Sequence, residues 1–251
     1  MGVKEYLETT AVFTIEEFKA EFPAVTGYNL LSRAIKSGKA LQVTRGLYVS
    51  NTGRFTGVQH DRFKIAAKLS GDVVFAYHSA LELHGVAHSF SNRVQYYSET
   101  SRKEIEFQGN SYKRYCKDDD SVLLQAVRAD AFGEVYVTTK EQTIIDCMQY
   151  LGRSGGSEEV LRSVSGFPYI DVAIIKDKTL SLNSSAVARI GWLLERKREE
   201  WNVSEKDLLH FEETLTGNAY RFASGTSADK GWSKRWKLIL PVSESEMLEW
   251  V

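Results

Sequence analysis

Cysteine is scarce: Cys116 and Cys147 are the two in the chain, far apart and without a CxxC pair. That argues against a disulfide framework and against a cysteine-built zinc site, and leaves two buried or half-buried thiols. Proline occurs three times, and no low-complexity stretch or repeat of solenoid length is present. No apolar run approaches the roughly 20 residues that span a bilayer. The first ten residues lack the apolar core of a signal peptide. A reducing, cytoplasmic setting with no membrane partner is expected. The two Asn-X-Ser matches, at Asn183 and Asn202, therefore carry no meaning as glycosylation sites. Charge of one sign is also lacking. The net charge is -1, so any nucleic-acid contact must come from local clustering.

What is present is globular composition, with 43% hydrophobic and 26% charged residues over 251 positions. Such a length suits one large domain or a small one plus a medium one. Thr14 to Glu17 reads as a capping box, and Ile15, Phe18 and Phe22 follow at helical spacing. Pro23 stops that helix. After a turn at Ala24 and Val25, Thr26 reads as a second N-cap. Leu30, Leu31, Ala34 and Ile35 then form an apolar stripe, and Gly38 suits a helix C-cap. Ala40 to Ser50 reads as a hairpin turning at Arg45 and Gly46. Residues 2–10 supply a supporting helix. Two helices, a short turn and a hairpin make a winged helix-turn-helix over residues 1–56.

Charge supports that reading. Arg33, Lys36, Lys39, Arg45 and Arg54 lie between Thr26 and Gly57 with no Asp or Glu among them. Each cation that meets a phosphate releases counterions. Tyr28, Asn29, Ser32, Arg33, Lys36, Lys39, Thr44 and Arg45 are the expected DNA-contacting residues. Asn29 and Arg33 have the chemistry to read adenine and guanine edges, and Arg45 suits the backbone or a minor groove. The plainer alternative is a winged helix used for protein contact, its charges merely solvated.

Residues 57–251 read as a larger mixed domain, so the expected class is α+β. Helices are expected over 56–70, from a capping box at Ser79 to Gly85, after Thr138, over Glu158 to Val164 and over Ser185 to Glu200. Strands are expected at Val73 to Tyr77, Arg93 to Tyr97, Glu104 to Gln108, Ser111 to Cys116, Val135 to Val137 and Trp236 to Leu240. Those between 93 and 116 alternate like antiparallel strands.

Catalytic patterns are lacking. No GxSxG, P-loop, GxGxxG or HExxH occurs. His78, His84 and His88 cluster locally, but their spacing favours structural histidines over a metal site. The glycine-rich stretch Gly152 to Gly156 follows a helix and reads as an exit loop rather than a phosphate cradle. Asp118 to Asp120 reads as a solvated acidic loop. No catalytic residue, metal or cofactor is expected, and the chain reads as a non-enzyme. A second set of cations, Arg189, Arg196, Lys197, Arg198, Lys234, Arg235 and Lys237 with nearby Lys230, forms a candidate functional surface. Its plain alternative is helix-dipole compensation at 196–198 and tryptophans that are simply core.

The order of the pieces resembles the AbiEi-type antitoxins of type IV toxin–antitoxin systems. The matching stretches are Asn29 to Gly38, Val43 to Tyr48, Tyr77 to Gly85, Val137 to Asp146 and Ala188 to Glu195. The resemblance implies a winged helix that represses its own operon on inverted repeats near the promoter, with a second copy on the DNA. It implies a C-terminal antitoxin domain that counteracts a nucleotidyltransferase toxin in abortive phage infection, without a stable complex. The second set of cations would be its antitoxin surface. The other reading of the same residues is a stand-alone winged-helix regulator with a sensing or partner-binding C-terminal domain.

Overall fold

Thr14 fixes the start of the helix at Ile15 by chemistry that is local. Its hydroxyl accepts from the Glu17 amide at 3.2 Å, while the Glu17 carboxylate accepts from the Thr14 amide at 2.8 Å. The computed structural model describes residues 1–22, 24–100, 103–116, 122–129, 133–223 and 231–251. From the N-terminus the order is α1 (Val3–Thr9), β1 (Val12–Thr14), α2 (Ile15–Glu21), α3 (Ala24–Lys36), β2 (Ala40–Thr44) and β3 (Leu47–Ser50). β2 and β3 form the hairpin expected from Arg45 and Gly46, the glycine sitting at φ 84°. β1 pairs antiparallel with β3, Val12 opposite Val49, to complete a three-stranded sheet. An aromatic core of Tyr6, Phe13, Phe18 and Phe22 joins Leu7, Leu31 and Ala34 beneath these elements.

α3 begins at Ala24, earlier than the expected cap at Thr26. Thr26 lies inside the helix, so the turn between α2 and α3 is shorter than the sequence implied. The stop assigned to Pro23 falls outside the described residues. Gly27 permits the tight approach, because a Cβ there would sit 2.3 Å from the Phe22 carbonyl oxygen.

Two compact units divide the chain. The first comprises Met1–Val74, Asn92–Asp118 and Arg128–Val135, and the second Phe75–Ser91, Asp119–Val127 and Tyr136–Val251. Beyond β3 the first unit holds α4 (Arg62–Ala67), shorter than the helix expected over 56–70. The Asp61 carboxylate accepts from the Phe63 and Lys64 amides and so starts the helix there. Its remaining strands are β5 (Arg93–Tyr97), β6 (Ile105–Phe107) and β7 (Asn110–Tyr115). β6 and β7 form the expected antiparallel hairpin, with Gly109 at φ 77°. β5 instead runs parallel to β7, Val94 opposite Tyr112, correcting the antiparallel expectation. Alternation sets which face a side chain occupies but not the direction of its neighbour. With β4 (Val74–Phe75), β8 (Leu124–Ala129) and β9 (Gly133–Thr138), the sheet order is β6-β7-β5-β4-β9-β8.

β4 ends at Phe75 rather than Tyr77, because Tyr77 takes φ 56° and opens α5 (Tyr77–Leu83). Ser79 is therefore inside α5, not its cap, and Ala76 occupies the N-cap. α6 (Lys140–Gln149) is capped by Thr139, one residue later than expected, whose hydroxyl accepts from the Gln142 amide. α7 (Ser157–Val164), α8 (Val172–Lys178), α9 (Ser184–Arg196) and α10 (Glu205–Glu213) follow. α9 stops at Arg196, short of the Glu200 expected. A small sheet of β10 (Tyr220–Arg221), β12 (Leu238–Leu240) and β11 (Gly231–Ser233) precedes α11 (Glu244–Leu248). Trp236 is outside the strand assigned to it and fully buried. A Cβ at Gly191 of α9 would lie 2.1 Å from its ring, so glycine is what lets the indole reach the helix. Trp192, Phe211 and Phe222 share that core. The mixed α+β class expected from the sequence is the class observed. Among the described residues, no helix is long and apolar enough to cross a membrane.

Candidate nucleic-acid interface

α3 presents two unlike faces. Leu31 and Ala34 are buried in the aromatic core, while Tyr28, Asn29, Ser32, Arg33 and Lys36 are exposed. Steps of three and four residues stack Asn29, Ser32, Arg33 and Lys36 along one side. Tyr28 is 61% exposed, with the Lys19 ammonium 5.0 Å from its ring centroid. Gly38, at φ 69°, ends the helix, and exposed Lys39 follows, its carbonyl accepting from the Asn51 amide at 2.8 Å. Arg45 is exposed at the hairpin tip and Thr44 is half-buried beside it. The Gly46 carbonyl accepts from the Ile15 amide at 2.8 Å, which ties the tip to the start of α2. The arginine is thus carried on a fixed turn.

Among the described residues, Arg33, Lys36, Lys39 and Arg45 make no ion pair. The acids of the neighbouring helices are occupied in part, Glu17 by Lys68 and Glu8 by Lys4. The eight residues singled out from the sequence therefore lie on α3, the segment after it and the hairpin, and seven of the eight are exposed.

The second set of cations is placed differently. Arg235 donates to Glu212 at 2.8 Å, Glu205 at 2.6 Å and Glu195 at 3.3 Å. Arg196 pairs with Glu195 and Glu244, and Arg198 with Glu205. Lys197 is 5% exposed and pairs with Glu200. The Lys237 ammonium donates to the Leu215 carbonyl at 3.0 Å. Lys234 is exposed, and Lys230 lies outside the described residues. Arg189 is half-buried and donates to the carbonyls of Met148 and Arg221. Carboxylates thus neutralise much of this set locally. Glu195 and Glu200 lie beside their partners in sequence, but Glu205, Glu212 and Glu244 lie far from Arg235 and Arg196, so those pairings have no local signature.

The three histidines diverge. His78 is 3% exposed, its Nδ1 3.0 Å from Glu82 and its Nε2 3.1 Å from Glu159. Burial opposes its charge, but hydrogen bonds and attraction from those two carboxylates outweigh that and raise its pKa. Glu159 also accepts from the Ser89 amide and the Ser163 hydroxyl, which keep it below the usual carboxylate range despite burial. His84 Nε2 is 2.8 Å from the Thr138 carbonyl, its ring edge-on to Phe167. The His88 side chain is exposed. Among the described residues, no three His, Cys, Asp or Glu side chains are grouped to hold a metal. Glu82 is readable from the i to i+4 spacing; Glu159 is not. The acidic loop at Asp118 to Asp120 lies outside the described residues.

No family model and no curated protein matches the chain. A solved structure does: the RV2827C protein from Mycobacterium tuberculosis, with a TM-score of 0.68 at 15% sequence identity. The match covers 98% of this chain and 91% of that one. At that identity the likeness is one of fold.

Proposed function

We propose that this protein is a DNA-binding antitoxin of the AbiEi type, whose winged helix represses its own operon. The observation that carries the DNA half is the exposed, unpaired set Arg33, Lys36, Lys39 and Arg45 on α3 and the hairpin. From Phe22 to His60 the sequence has no carboxylate to cancel it. α3 is the element that enters the major groove, with Asn29 and Arg33 towards base edges and Lys36 and Lys39 towards phosphates. Arg45 reaches the flanking backbone or minor groove from the wing. Inverted repeats place two copies on one operator.

The antitoxin half rests on the order of motifs from Tyr77 to Glu195 that resembles that family. Its partner is a nucleotidyltransferase toxin, counteracted without a stable complex.

Gel-shift and footprinting on the region upstream of the gene test the DNA half. Together, Arg33→Ala and Arg45→Ala are expected to weaken binding about a hundredfold, at roughly 1–3 kcal/mol each. The slope of log affinity against log salt is expected to become shallower by about 0.9 for each phosphate that is no longer neutralised. Unchanged binding in both variants removes the winged helix from the interface. Co-expression with a neighbouring nucleotidyltransferase tests the antitoxin half. Growth rescue by the full chain supports it, and continued toxicity leaves a stand-alone regulator.

A further inference from the structure

The glycine-rich stretch after α6 has a geometry the DNA reading does not use. Gly155 and Gly156 sit at φ 93° and 98°, and Gly156 at ψ -173° is in a region open essentially to glycine alone. Gly156 is the N-cap of α7, so no side chain caps that helix. First-turn amides lack intrahelical acceptors and carry the positive end of the helix dipole. The two acids of that turn are engaged elsewhere: Glu158 with Arg162 at 2.9 Å, and Glu159 with His78.

A cavity of about 440 Å³ opens at this point, lined by Gln149, Tyr150, Arg153, Gly156, Ser157 and Arg189 among others. No carboxylate is among its lining residues. Arg189 Nη1 donates to the Met148 carbonyl at 2.7 Å and Nη2 to the Arg221 carbonyl at 3.1 Å. Its Nε is buried without a partner. Among the described residues no carboxylate pairs with it, and burial alone pushes its pKa down to about 10. Arg189 is half-buried, and a guanidinium partly withdrawn from water without a counter-charge is favoured by a bound anion. Arg153 adds a second cation, stacked 3.8 Å over the Tyr150 ring and donating to the Tyr77 hydroxyl.

We propose that this cavity binds a phosphate ester the size of a mononucleotide. Two guanidinium groups and an uncapped helix N-terminus at the cavity wall complement a dianion by charge. The volume falls within the range of small-molecule pockets and exceeds what a free ion fills. Tyr150 supplies an aromatic wall for the organic part.

Calorimetric titration of the full-length protein with the common ribonucleoside monophosphates, adenosine and inorganic phosphate tests it. At least one monophosphate is expected to bind about tenfold or more tightly than inorganic phosphate or adenosine. Arg189→Gln and Ser157→Asp are each expected to cost about tenfold or more in that affinity. Ser157→Asp places a carboxylate at the start of α7, which suits the helix but repels the anion. If Arg189→Gln does not fold, judged by circular dichroism, Ser157→Asp decides. Inorganic phosphate binding as tightly as every monophosphate overturns the proposal. So does the absence of monophosphate binding, or wild-type affinity in Ser157→Asp.

Discussion

Arg33, Lys36 and Arg45 present their charge to solvent from a helix and a hairpin, whereas Arg196, Arg198 and Arg235 direct theirs at Glu195, Glu205, Glu212 and Glu244. The two sets look alike as residue types. They differ in whether the fold itself supplies the counter-charge. A cation already held by carboxylates has less to offer an outside anion, since binding one means breaking an existing pair. A solvated cation with no partner loses only its counterion atmosphere. The first set is left with charge to offer an outside anion, whereas most of the second ties its own helices together. Arg189 and Lys237 depart from that pattern, because their partners are carbonyls rather than carboxylates.

The largest effect expected from breaking a paired cation is at His78. Its imidazole lies between Glu82 and Glu159, whose side chains are 13% and 11% exposed. His78→Ala leaves two carboxylates facing each other, and a loss of about 3 kcal/mol in urea unfolding is expected. The effect depends on pH with a definite sign. Its folded pKa is raised, so the stabilisation is complete below the unfolded value of about 6.5 and disappears as pH rises through the folded value. The gap between wild type and variant therefore narrows towards alkaline pH. A gap that widens there would mean that His78 is held neutral.

Arg235→Ala sharpens the contrast at a more exposed site. Its side chain is 24% exposed and bridges three acids from α9 and α10. Solvent screening limits the contribution of each pair. A fall of about 2–4 °C in melting temperature is expected, with DNA affinity unchanged. A large loss of DNA affinity with intact melting would move this arginine into the recognition set.

Legibility in the sequence follows the range of the interaction. The capping box at Thr14, the apolar stripe of α3 and the hairpin at Gly46 are set by neighbours within a few residues, and all three are visible in the sequence. β1 is three residues long and stabilised by β3, far along the chain, so nothing local marks it. α10 escapes for a subtler reason. Its capping box closes on Asp207 rather than Glu or Gln, a weaker version of the usual pattern. Tyr77 at φ 56° overrides a good strand sequence, because a residue in that region cannot continue a β-strand. On α3, residue type and exposure of the cations follow from helical periodicity alone. The neutralisation of Arg235 requires three carboxylates from two other elements, which only the tertiary fold brings together.

The smallest expected effect is the stability change in Arg33→Ala, and it tests the comparison from the opposite side. Arg33 is exposed, and among the described residues no carboxylate pairs with it. Alanine has the higher helix propensity, so the substitution on α3 favours the helix slightly. A change within about 0.5 kcal/mol is expected in urea unfolding. A loss above about 1 kcal/mol would show that Arg33 holds the fold together as the paired arginines do. Its place on an exposed helix face would then need no nucleic acid to explain it. A neutral result joined to weakened operator binding separates recognition from folding at one residue, which no substitution among the carboxylate-paired cations can do.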